Sequence, residues 1–195
     1  MDRRQSFEML RSLIKALQTG DPVPLHWAVT HADTFTAAWL FTVESFQLLE
    51  IATLVMPRDE VVRALCALIR DRCPSLNQEP RAIDALEVME GWADGRAISS
   101  QAILDAGEIL RPLADGSNAA LPFTAVFCAC GVPCSAVGNA ASYASTVGGA
   151  IQAMTAATDD AEQRTAIADF VRQQFMDRDI LADVMQANRR PSPKP

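Results

Sequence analysis

The stretch CACGVPCSAVGNAASYASTVGGA, residues 128–150, holds three cysteines within seven positions and no charged side chain. It lies inside a longer segment, 117–158, from which Asp, Glu, Lys and Arg are all absent. Such a segment has three competing interpretations: a membrane hairpin, a metal or redox site, and the interior of a helical bundle. The choice among them decides the fold class.

The membrane interpretation is disfavoured by composition. A helix needs about 20 apolar residues to cross a bilayer, and segment 117–158 has the length for two passes. It is, however, rich in Ser, Thr, Asn, Gln, Gly and Pro. It also lacks the aromatic belts and basic anchors that flank membrane helices. We therefore expect no membrane association.

The cysteines do not have the spacing of a metal or redox site. Cys128, Cys130 and Cys134 follow the pattern Cys-x-Cys-x3-Cys, whereas structural zinc sites use paired Cys-x2-4-Cys ligands. No Cys-x-x-Cys motif is present, and no charged neighbour in the segment would lower a thiol pKa. A site completed by Cys66 or Cys73 from another helix remains an open alternative. We expect no metal and no other cofactor.

The third interpretation is burial. A helix that is apolar or small on every side lies inside a protein, and a free cysteine there behaves as a small hydrophobe. We therefore predict that 117–158 forms a buried, small-residue helical hairpin with a break near Gly131-Val132-Pro133. Amphipathic helices would surround it.

The rest of the chain predicts an all-α protein. Of the 195 residues, 49% are hydrophobic and 21% charged, which is ordinary for a soluble globular domain. Helix formers dominate, and apolar residues recur at spacings of three and four. We predict one all-α domain, a bundle of about eight or nine helices over residues 1–188. Residues 189–195 would be a disordered, proline-rich, basic tail.

Several helix ends can be placed from the sequence. Pro80 suits the first position of a helix, and Asp94-Gly95 is a good C-terminal stop for it. Ser99 or Ser100 can cap the helix that follows. Near the N-terminus, the spacing of apolar residues over 7–17 predicts an amphipathic helix.

The net charge of -7 limits the classes of partner. It disfavours nonspecific binding to nucleic acid or to an anionic membrane, and it would attract a basic protein. The five cysteines are an odd number, and the N-terminus lacks the pattern of a secretory signal. Together these features favour reduced thiols and a cytoplasmic location.

No catalytic constellation is recognisable. His26 and His31 are the only histidines; they are five positions apart and do not form the His-Glu-x-x-His zinc motif. Glycine-rich phosphate-binding patterns and the Gly-x-Ser-x-Gly nucleophile motif are absent as well. We expect a protein that is not an enzyme.

An acidic run follows Pro80. Its members are Asp84, Glu87, Glu90 and Asp94. The ordinary interpretation is a solvated helix face. The sharper hypothesis is a docking surface that steers a basic partner, because complementary charge speeds association. These four residues are the predicted partner-binding positions.

Three short motifs resemble a known family. PRAIDALE at 80–87 leads to WADGRA at 92–97, and AASYA follows at 140–144. This order resembles a helical family of immunity proteins from bacterial polymorphic toxin systems, over about residues 59–153. That family often carries histidines in its alanine-rich helices, and here there are none, so a function resting on them does not carry over. The resemblance implies an all-helical binder that neutralises a toxin.

Three functional hypotheses follow. The leading one is a non-enzymatic protein-binding factor of the immunity type, which would cover a basic toxin surface by steric and electrostatic occlusion. The alternative is a helical sensing or scaffolding module that acts as a homo-oligomer. The third is a helical enzyme that depends on a metal or on its thiols.

Overall fold

The computed structural model describes residues 44–115, 117–156 and 161–174. Within these ranges the chain forms seven α-helices and no β-strand, which confirms the all-α class for this part of the protein. The helices are α1 Ser45–Val55, α2 Arg58–Arg72, α3 Pro80–Ala93, α4 Ser100–Leu110, α5 Leu121–Gly131, α6 Val137–Ala156 and α7 Ala161–Gln174. Short 3-10 turns span Pro74–Gln78, Arg111–Leu113 and Asn118–Ala120. The predicted helix over 7–17 and the tail over 189–195 lie outside the described residues.

The predicted helix ends around α3 and α4 are confirmed. α3 begins at Pro80, where the missing N–H would have had no partner in the first turn anyway. Gly95 follows the end of α3 with φ 80°, a left-handed conformation that favours glycine. The hydroxyl of Ser99 accepts a hydrogen bond of 3.2 Å from the N–H of Ala102 and so caps α4.

The described helices share one hydrophobic cluster. Every one of the seven contributes buried apolar side chains to it. Its largest fully buried members are Leu48, Leu49, Leu65, Leu68, Ile69, Leu86 and Met89. Burial of such side chains supplies the main free energy for holding the helices together. The extent of the domain over 1–188 stays a prediction.

The uncharged segment contains α5 and α6. α5 ends at Gly131 and α6 begins at Val137, so the interruption lies at the expected place. α5 is buried around most of its circumference and packs against α4 and α6. α6 is different, because it buries one side against α1 and α5 and exposes another. Its exposed positions include Asn139, Ser142, Tyr143, Thr146 and Ala153.

α1 and α6 approach each other very closely at Gly148. A Cβ atom there would lie 2.5 Å from the Cα of Phe46, so only glycine lets the two backbones approach this far. The hydroxyl of Ser45 donates to the Gly148 carbonyl at 3.0 Å, and the Ser45 N–H donates to Oε1 of Gln152 at 3.2 Å. The Gln152 amide in turn donates to the carboxylate of Glu44. A small residue and a local hydrogen-bond network therefore fix how these two helices cross.

Candidate protein-binding surface

The acidic run lies on α3, which packs between α2 and α4. Its inner side is apolar and holds Ala82, Ala85, Leu86 and Met89. Asp84 and Glu87, three positions apart, are exposed and share one outer side of the helix. The periodicity of α3 thus places two of the four predicted residues together at the surface.

Glu90 is half-buried and pairs with an arginine of the neighbouring helix. The guanidinium of Arg70, on α2, donates two hydrogen bonds to its carboxylate, at 2.6 and 3.0 Å. The pKa of Arg70 is raised, and the largest cause is this hydrogen bond to Glu90. The negative charge of Glu90 is therefore compensated by α2 and contributes little to an outward acidic surface.

Asp94 also faces an arginine of α2. Its Oδ1 lies 3.5 Å from Nε of Arg63. The same guanidinium donates to the carbonyl of Ala93 at 2.6 Å, near the last turn of α3, where a positive charge is favourable. Asp59, one turn earlier on α2, lies 3.9 Å from it as well. Arg63 thus partly neutralises Asp94 and at the same time holds the end of α3 against α2.

Asp84 and Glu87 have no such compensation from the part of the chain that the structure describes. Among the described residues neither makes an ion pair or a side-chain hydrogen bond. Glu87 lies close enough to Arg70 to contribute to that residue's raised pKa, but only as the smallest cause. The structure therefore divides the predicted acidic surface into a compensated pair, Glu90 and Asp94, and an open pair, Asp84 and Glu87.

The acids of α4 are partnered by α4 itself and by the 3-10 turn that follows it. Asp105 accepts a hydrogen bond of 2.7 Å from the side-chain amide of Gln101. Glu108 accepts two from Arg111, at 2.6 and 2.5 Å, and this bonding lowers the pKa of Glu108. The Arg111 guanidinium also lies 5.3 Å from the centre of the Phe127 ring, a cation–π distance.

Sequence reasoning missed the exposed apolar side chains. Leu104 is 39% exposed, Ile109 54% and Tyr143 37%. The buried side of α4 runs through Ile103 and Leu110, so a helical projection of α4 would have placed Leu104 and Ile109 outside it. Because these two are five positions apart, they point to different sides of the exposed face and do not form one continuous patch.

The cysteines are placed as packing residues. All five are free thiols, and every one except half-buried Cys134 is buried. Burial raises the pKa of Cys73 and of Cys130 to about 12 and that of Cys128 to about 11, and it also raises the pKa of Cys66. The raised pKa values disfavour the thiolate form at neutral pH, so these buried thiols are poor nucleophiles.

Neither a metal cluster nor a membrane helix is found in the described parts of the chain. No group of three or more His, Cys, Asp or Glu side chains there is arranged to hold a metal ion. None of the helices combines the length and the hydropathy that a bilayer crossing requires. His26 and His31 lie outside the described residues.

Compared with family models, curated proteins and solved structures, the chain matches none of them. The resemblance to immunity proteins therefore depends on the three motifs alone. In the structure, PRAIDALE occupies the first part of α3, WADGRA spans its C-terminal end, and AASYA lies in α6. Two of the three motifs thus build the helix that carries the open acidic pair.

Proposed function

We propose that this protein is a non-enzymatic protein-binding factor of the immunity type, whose helix α3 presents an acidic surface to a basic protein partner. The observation that carries the proposal is the open pair: Asp84 and Glu87 are exposed on one side of α3 and lack an arginine partner among the described residues. Exposed carboxylates without an internal partner can form ion pairs with basic side chains of another molecule.

The net charge of the chain strengthens the effect of the open pair. At -7, the protein attracts positively charged molecules over distances comparable to the Debye length, about 8–10 Å at physiological salt. Within that field, the carboxylates of Asp84 and Glu87 form a local concentration of negative charge that orients a basic partner as it approaches. The expected contribution is to the rate of association more than to the affinity.

Apolar contacts are needed as well, because an interface of charges alone is weak. α4 packs against α3 and exposes Leu104 and Ile109. The exposed ring of Tyr143 belongs to α6, which packs against α5. Tyrosine is among the residues that most often supply the anchoring contacts of interfaces. Because Leu104 and Ile109 point to different sides of α4, we propose that one of them, and not both, completes the binding surface with the open pair.

The partner we propose is a basic toxin domain, bound in the cytoplasm and blocked by occlusion. The three motifs that resemble the immunity family support this choice. A toxin and its immunity protein are encoded next to each other, so the neighbouring gene provides the partner to test. The mechanism needs no catalytic residue in this chain, since covering the toxin's surface is enough to stop it.

Co-expression of the neighbouring gene's product with this protein tests the proposal. We expect wild-type protein to restore growth of cells that express the toxin and to co-elute with it. The double variant Asp84→Asn/Glu87→Gln should bind more weakly. The control, Glu162→Gln/Asp169→Asn, removes the same charge from exposed positions on α7, where Asp169 pairs with Arg172 at 2.7 Å. Once thermal unfolding shows that it is folded, it should bind as wild type does. An equal loss of binding in both variants would show that only the net charge matters. If the wild-type protein formed no complex with the neighbouring gene's product, the proposed function would be rejected.

A homo-oligomeric sensing or scaffolding module is the second candidate. The exposed side chains of Leu104, Ile109 and Tyr143 favour it, since self-association would remove them from water. The solution mass separates the candidates, because a scaffold of this kind is a dimer or larger in the absence of a partner. A metal- or thiol-dependent enzyme has less support, given the burial of Cys66, Cys73, Cys128 and Cys130.

We also propose that the whole chain forms eight or nine helices, in which α5 and α6 pair as a small-residue hairpin. The burial of α5 on most sides supports this arrangement, as does the close crossing of α1 and α6 at Gly148. In this view the hairpin is a rigid scaffold, and α3 and α4 carry the binding surface.

A further inference from the structure

We draw no further inference here: the strongest candidate, the uncharged stripe of small side chains that α6 exposes between Asn139 and Ala153, carries none because nothing in the structure shows what covers it.

Discussion

Arg70 donates two hydrogen bonds, of 2.6 and 3.0 Å, to the carboxylate of Glu90 across the contact between α2 and α3. One acid of the predicted binding surface is thereby used to hold two helices together. Asp84, on the same helix, has no such bond among the described residues. Two acids of the same helix therefore differ: Glu90 is paired across the contact with α2, and Asp84 is exposed.

Neutralising Glu90 should destabilise the protein, and neutralising Asp84 should not. Both side chains of the Arg70–Glu90 pair are about one-third exposed, so solvent weakens the pair. We expect Glu90→Gln to lower the free energy of unfolding by about 0.5–1 kcal/mol. Asp84→Asn should change it by less than about 0.5 kcal/mol. Urea denaturation of the two variants measures the difference, and equal effects would contradict the division of roles.

Gly148 and Gly149 provide a matched pair for the packing of α1 on α6. A Cβ at Gly148 would lie 2.5 Å from the Cα of Phe46, whereas one at Gly149 would meet no atom within 4 Å. Gly148→Ala should therefore cost about 1–3 kcal/mol of unfolding free energy through overpacking. Gly149→Ala should stabilise the protein by up to about 1 kcal/mol, because alanine favours a helix. Thermal unfolding tests both, and stabilisation by both would refute the close crossing.

The thiols should differ sharply in reactivity. Cys134 is half-buried and its Sγ donates weakly to the carbonyl of Ser100 at 3.4 Å, whereas the other four cysteines are buried. With a thiol-specific dye at neutral pH, we expect Cys134 to react first and the others only after denaturation. Rapid labelling of Cys130 in the native protein would show that it is not a packing residue. Cys134→Ser should abolish the rapid phase of labelling, which would assign that phase to Cys134.

Stability should fall at alkaline pH. Burial raises the pKa of Cys130 from an ordinary value of 9.0 to about 12 in the folded protein. Above pH 9, an unfolded chain loses this proton while the folded chain keeps it, so ionisation favours the unfolded state. The stabilisation present below pH 9 is therefore lost progressively as the pH rises towards 12. Denaturation of wild type and Cys130→Ala at pH 7.5 and 10 measures the difference in their unfolding free energies. This difference should be smaller at pH 10; the same difference at both pH values would contradict the prediction.

The local features of the fold could be predicted from the sequence, because local chemistry determines them. Pro80, Gly95 and Ser99 mark helix ends through a missing N–H, a left-handed backbone and a capping hydroxyl, each of which acts within a few residues. The burial of Cys128 and Cys130 likewise follows from a segment without charges.

The division of the acidic surface could not be predicted in this way. Glu90 meets Arg70 at a separation of 20 residues, and Asp94 meets Arg63 from another helix. Which acids of α3 face α2 depends on the rotation and crossing of the two helices. The pattern of charges along α3 alone does not contain that information.

The central claim is tested most directly by the rate of association with the product of the neighbouring gene, which we propose as the toxin partner. Stopped flow would measure this rate over a range of salt concentrations. If the open pair steers the partner, Asp84→Asn/Glu87→Gln should slow association by roughly threefold to tenfold at low salt. The same variant should also show a weaker salt dependence than wild type, while Glu162→Gln/Asp169→Asn stays near wild type. An unchanged rate and salt dependence in the α3 variant would contradict the claim.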